Sequence, residues 1–174
     1  MGRQAPHMRS APQAGPRVLR RIPKESAMPT ITTDPKVLAA KFNQAFNAHD
    51  EKTLSSLIAP NATFTAPGDV RLEGKEAVLA YTYGWLKAFP DAKINVTQEI
   101  VSGPWVVQEF IFEGTHTAPL TGPMGTIQAT NRKVAGRSVS INRYENDLGV
   151  ETRLYFDMVQ LLSQLGVMPV PAKN

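Results

Sequence analysis

Residues 151–166 read ETRLYFDMVQLLSQLG. Two periods meet in this stretch. Residues 149–156 are β-branched, aromatic or charged and read as a strand. From about Met158 to Leu165 the spacing is helical, with Gly166 placed to end the helix and Pro169 beyond it. Asp157 stands at the junction, where an Asp serves as a helix N-cap. Taken as a strand, the first part divides into Val150, Thr152, Leu154, Phe156 and Glu151, Arg153, Tyr155, Asp157. Both sets contain aromatics, so the period alone does not name the inner face. An inward Arg-Tyr-Asp row is costly unless those groups pair or face a pocket. That cost makes Asp157, Arg153 and Tyr155 candidate site residues.

Upstream, residues 105–116 form a second strand-like run. One face carries Gln108, Phe110, Phe112, Gly114 and His116; the other carries Glu109, Ile111, Glu113 and Thr115. The first face, with its aromatics, is the better interior, and it ends in a histidine. A carboxylate at the rim of an apolar hollow suits a general acid or base, and an imidazole beside it can orient it or donate to a developing oxyanion. From the residues alone, His116 and Asp157 are candidates for such a pair, with a plain strand-end histidine and a plain helix cap as the alternatives.

The remaining chain supplies a frame. Asp34 and Pro35 open a helix with Val37, Leu38, Phe42, Ala45 and Phe46 on one face. Asp50 caps a shorter helix carrying Leu54, Leu57 and Ile58, and NATFTA (61–66) reads as a strand closed by Pro67-Gly68. Residues 75–88 form a third helix, stopped at Pro90. Strands are expected over 92–101, 105–116, 137–145 and 149–156, with a hairpin turn in YENDLGV (144–150). Helices first and an antiparallel sheet afterwards is an α+β pattern. The long connection from Thr117 to Gly136 is expected to be a lid or insert. On the third helix, Tyr81, Tyr83 and Trp85, with Phe89 beyond it, could line a pocket for a flat ligand or simply fill the core.

Composition narrows the classes. The chain has 174 residues, 42% hydrophobic and 20% charged, with no cysteine. Disulfides, thiolate nucleophiles and thiolate metal sites are excluded, a reducing cytoplasmic setting is the default, and no run is long enough to span a membrane. The formal charge is +4. Residues 1–27 contribute a net +5, from Arg3, Arg9, Arg17, Arg20, Arg21 and Lys24 against Glu25, so the rest is near neutral at −1. The basicity belongs to a Pro- and Arg-rich segment, read as a disordered tail preceding one domain at 28–174. It is either a targeting sequence or an extension ahead of a true start at Met28. No nucleic-acid function is expected of the domain.

Three stretches carry a family resemblance: GTHTAPL (114–120), GRSVSINRYEND (136–147) and RLYFDMVQLLSQLGVMP (153–169). With FNAHDEKTLSSLIAPNATFTAPG and the FPD junction at 89–91, they make residues 35–169 resemble the SnoaL-like polyketide cyclase (ester cyclase) family of the nuclear transport factor 2-like superfamily. The resemblance implies a cone-shaped fold, a curved antiparallel sheet wrapped around N-terminal helices with an apolar pocket inside. It implies ring closure by intramolecular aldol chemistry with no metal or organic cofactor, Asp157 as the acid/base and His116 near it. Tyr155, Arg153, Phe110, Phe112, Trp85 and Tyr81 would contact a polyketide- or steroid-like small molecule, and a homodimer or higher homo-oligomer packed through the sheet is implied. The same fold also hosts non-catalytic binding modules. The chain departs from the family pattern at Ala118-Pro119 and at TNRK (130–133). It lacks the Asp-Arg-Asp set of the epoxide hydrolase branch.

Overall fold

The computed structural model describes residues 32–122 and 125–168. The expected tail at 1–27 lies outside them. Three helices precede most of the sheet: α1 (Pro35–Ala48), α2 (Glu51–Ser56) and α3 (Lys75–Ala88). Between and after them run β1 (Ile58–Ala66), β2 (Val70–Glu73), β3 (Lys93–Ser102), β4 (Trp105–Thr115), β5 (Leu120–Gly122), β6 (Gly125–Ile127), β7 (Lys133–Glu145) and β8 (Leu148–Phe156). Helix α4 (Met158–Leu165) closes the domain.

The caps form as their chemistry dictates. Asp34 accepts from the Lys36 amide and Asp50 from the Thr53 amide, each satisfying a first-turn donor that the helix itself cannot. Asp157 accepts from the Gln160 amide, and Gly166 ends α4 in the left-handed region. On α1 the buried face is Leu38, Ala39, Ala45 and Phe46, and Val37 is turned to solvent. Ile58, expected on α2, begins β1 instead.

The main sheet has the order β2-β1-β8-β7-β4-β3. All its pairings are antiparallel except β1 with β8, which is parallel, the path through β2, α3 and β3 to β7 being long enough to allow it. The expected wholly antiparallel sheet is thus mixed at one seam. Register shifts within β1/β8, β3/β4 and β7/β8 bend the sheet, which curls around α1 and α3. The β7–β8 hairpin turns at Asn146 and Asp147, both at positive φ, as a tight turn of this kind requires. Between residues 117 and 132 lies a small hairpin, β5–β6, whose Leu120 packs into the core. Where β8 ends, α4 takes over as neighbour of β7. The Gln164 amide accepts from Ala135 N–H and donates to Ala135 C=O, both at 2.9 Å, standing in for a strand partner.

Candidate active site

A cavity of about 170 Å³ lies between the concave face of the sheet and helices α1, α3 and α4. Its origin is on β7. Between the buried Val134 and Tyr144, that strand's inward positions are Gly136, Ser138, Ser140 and Asn142, small or polar where a buried strand ordinarily places branched apolar side chains. The neighbouring strands supply larger walls: Phe110 and Phe112 from β4, Leu154 and Phe156 from β8. From α3, Tyr81 and Trp85 close the opposite side. Trp85 is the hub of the aromatic wall. Its ring centroid lies 5.5 Å from that of Phe112 and 5.9 Å from that of Phe156, both edge-on, and 5.6 Å from a stacked Phe89. Such geometry holds the rings without extra strain.

The floor is hydrogen-bonded. Thr152 Oγ1 donates to Asn142 Oδ1 and Asn142 Nδ2 donates to Ser140 Oγ, each at 3.0 Å. Gln108, only 3% exposed, accepts from Asn43 Nδ2 at 3.1 Å and donates to Glu99 at 2.6 Å. Among the described residues no group of His, Cys, Asp or Glu side chains is arranged to hold a metal ion.

Asp157 lines this cavity and is exposed, so it marks an opening to solvent. Its Oδ1 is held at 2.9 Å by the Gln160 N–H at the start of α4, and its second oxygen has no hydrogen-bond partner among the described residues. The other carboxylate on the wall, Glu151, is committed. It bonds Arg153 Nε at 2.7 Å and Arg143 Nε at 3.2 Å. Burial pushes Glu151 up, but those two guanidiniums together outweigh it and hold the carboxyl below its usual range.

The structure does not bring His116 and Asp157 together. His116 is fully buried but does not line the cavity. Its Nδ1 faces Thr130, 3.3 Å from the backbone N–H and 3.1 Å from Oγ1. An Nδ1 that accepts an N–H places the proton of the neutral ring on Nε2, which is buried without a partner among the described residues. The physical reason lies one row back on β4. Gly114 has no side chain, and Phe89 fills the space; a Cβ at Gly114 would stand 3.1 Å from Phe89 Cβ. Phe89 thus packs behind Trp85 and Phe112, with the His116 ring behind it at 5.1 Å. Burial also pushes the imidazole below its ordinary pKa, opposed only in part by the nearby Ala118 backbone.

Two further expectations are corrected. The inner face of β8 is Thr152, Leu154 and Phe156, so Arg153 and Tyr155 point away from the cavity. Tyr155 is 53% exposed, and Arg153 sits over the Trp105 ring on the convex face, beside Arg143. Arg153 and Tyr155 are tolerated because they face water, with Arg153 paired to Glu151; of this parity only the Glu151 and Asp157 carboxylates reach the cavity wall. Phe110, Phe112, Trp85 and Tyr81 line the cavity. The β7 floor escaped sequence reasoning, although Gly136, Ser138, Ser140 and Asn142 alternate visibly. A polar alternation ordinarily signals a solvent face.

These features coincide with a family. The model of the SnoaL-like polyketide cyclase family matches residues 36–165. The chain belongs to the SnoaL-like polyketide cyclase family. Solved structures agree in fold. IdmH from Streptomyces antibioticus, a candidate polyketide cyclase, is 26% identical over 77% of this chain and 99% of its own, with a TM-score of 0.65. AclR from Streptomyces galilaeus, a candidate hydroxylase, is 24% identical over 80% and 89%, with a TM-score of 0.66. A candidate SnoaL-like polyketide cyclase from Jannaschia is 17% identical over 84% and 99%, with a TM-score of 0.70. No curated protein matches the chain. As a SnoaL-like protein it has the α+β architecture of the nuclear transport factor 2-like superfamily. No helix among its described residues is long and apolar enough to cross a membrane.

Proposed function

We propose that this SnoaL-like protein is a cofactor-free cyclase or isomerase that moves protons on a neutral, largely apolar, oxygenated small molecule, with Asp157 as the acid/base. The observation that carries this reading is the Asp157 carboxylate at the cavity opening, one oxygen fixed by its own helix and the other unengaged. Such a group is oriented without being neutralised, which is what a general base needs.

In the cyclase form of the reaction, the free oxygen takes a proton from the carbon α to a carbonyl. The resulting enolate carbon attacks a second carbonyl of the same molecule, forming a C–C bond as the C=O π bond breaks. The new alkoxide then takes the proton back from Asp157. An isomerase would return the proton to a different carbon of the enolate. Ser138 and Gln160 line the cavity near Asp157 and have no side-chain partners among the described residues, so they are the available donors to the enolate oxygen. Trp85, Tyr81, Phe110 and Phe112 would grip the flat apolar part. Asp157 is open to water in the free chain, so the ligand itself would exclude water and strengthen the base. His116 acts through the packing of Phe89 and the Thr130 segment rather than on substrate. The convex sheet face, with Ile100 and Tyr155 exposed and Val107, Ile111 and Val139 half-buried, is proposed as the surface for a homodimer.

The test uses 2-tetralone, a neutral apolar ketone, and follows exchange of its α-protons in D₂O by NMR. Asn caps helices as well as Asp does, so Asp157→Asn removes the base but keeps the cap. The wild-type protein should accelerate exchange and Asp157→Asn should lower that acceleration about 100-fold or more. Equal acceleration by both proteins refutes the role of Asp157. Binding of tetralone with no acceleration in either favours the second reading, a non-catalytic binding module of the same fold, which the exposed position of Asp157 would suit.

A further inference from the structure

The end of the cavity away from Asp157 contains an ordered polar chain that the acid/base reading does not use. It begins at the surface, where Lys36 Nζ meets Glu99 Oε1 at 3.3 Å. Glu99 faces inward because of a register shift between Val96 and Gln98. Without it, the alternation from Ile94 and Val96 would have turned Gln98 inward instead. Glu99 Oε2 can only accept from an amide, so Gln108 turns its Nε2 toward it, at 2.6 Å. Gln108 Oε1 is then left to face Asn43, whose Nδ2 donates to it at 3.1 Å. One acid thus fixes the orientation of two amides on the cavity wall, and Asn43 Oδ1 is left without a partner among the described residues.

Tyr144 completes the group. Its ring belongs to the buried cluster with Leu38, Ala39 and Val106, and it too lines the cavity. Its hydroxyl has no hydrogen-bond partner among the described residues. Burial, with the Glu99 charge nearby, pushes the phenol well above its ordinary range, so it stays a donor at neutral pH.

We propose that Gln108, Asn43 and Tyr144 form a second recognition pole, which binds a neutral hydroxyl or carbonyl oxygen of the ligand and rejects an anionic one. The pole offers an acceptor at Asn43 Oδ1 and donors at Tyr144 and at the second N–H of Gln108, which matches a hydroxyl or ketone. Glu99 behind Gln108 repels a carboxylate, and its own counter-ion Lys36 sits on the solvent side. Gln108 pairs with Ser140, and Asp157 lies one residue beyond Phe156, which pairs with Ser138. Three strand steps separate the two rows, or about 10 Å. The ligand would therefore be a rigid apolar body with a reactive carbonyl at one end and a neutral oxygen about 10 Å away. This rests on the reading of the cavity as a ligand site.

The experiment titrates the full chain with 2-naphthol, 2-methylnaphthalene and 2-naphthoate, which share one ring system, and follows quenching of tryptophan fluorescence. The wild-type protein should bind naphthol about fivefold to tenfold more tightly than methylnaphthalene, and naphthoate more weakly than either. Tyr144→Phe, which keeps the core ring, and Gln108→Leu, checked for folding by circular dichroism, should each erase most of the preference for naphthol. Equal wild-type affinities for naphthol and methylnaphthalene, tight naphthoate binding, or an unchanged preference in both variants would overturn the pole and leave the cavity reading standing. Binding of none of the three would overturn both.

Discussion

The hollow exists because β7 turns small polar residues inward, so filling it should exchange function for stability. Ser140→Leu is the informative change. Ser140 is buried on the cavity floor, opposite Gln108 and Leu154, and accepts one hydrogen bond from Asn142 at 3.0 Å. Leucine replaces its hydroxyl with three carbons that would lie against the apolar walls of the cavity. At about 0.8 kcal/mol per buried carbon the gain is about 2 kcal/mol. Losing the Asn142 bond costs about 1 kcal/mol. The balance is a stabilisation of about 1 kcal/mol, which for a domain of this size raises Tm by about 2–4 °C. The same side chain would project into the cavity beside Gln108, so binding of a flat ligand such as 2-tetralone should fall at least tenfold. Differential scanning fluorimetry with and without the ketone reads both effects. A lowered Tm together with unchanged ketone binding would mean that Ser140 fronts no usable space, and the account of how the cavity arises would be wrong.

Other outcomes follow from single contacts. Asp157→Ala removes the cap on the Gln160 N–H and should cost about 1 kcal/mol, lowering Tm by about 2–4 °C where Asp157→Asn does not. His116 is held neutral by burial, with its folded pKa below the unfolded value of about 6.5. The unfolded chain therefore binds the extra proton first, so the stability contributed at neutral pH is lost as pH falls below about 6.5 and through the folded pKa. The Tm drop between pH 7.5 and 5.5 should be larger in the wild-type protein than in His116→Gln, and an equal drop in both would contradict the buried neutral imidazole.

Much of this architecture could be read from residue order. Asp34-Pro35, Asp50 and Asp157 announce helix starts because a capping oxygen is a local requirement, and Gly166 announces an end for the same reason. The inward face of β4 was legible because Phe110 and Phe112 share a parity that Glu109 and Glu113 do not. Parity failed on β8, where both faces carry aromatics. On β7 Val139 and Ile141 point outward and Ser138 and Ser140 point in, the reverse of what parity alone suggests. A strand that floors a cavity inverts the usual pattern, and only the neighbouring strands reveal the inversion. The separation of His116 from Asp157 was beyond reach for a different reason. It depends on Phe89 settling over Gly114, a contact between residues 25 positions apart on different elements. The short β5–β6 hairpin likewise lacks a local signal, since Leu120 is held by packing rather than propensity.

The central claim is that Asp157 acts on a carbonyl compound lodged among Trp85, Phe110 and Phe112. A crystal structure of the protein soaked with 2-tetralone tests it most directly. The account predicts the rings against those aromatics with the α-carbon about 3–3.5 Å from the free oxygen of Asp157. A ketone bound elsewhere, or bound in the cavity with its α-carbon out of reach of that carboxylate, would contradict it.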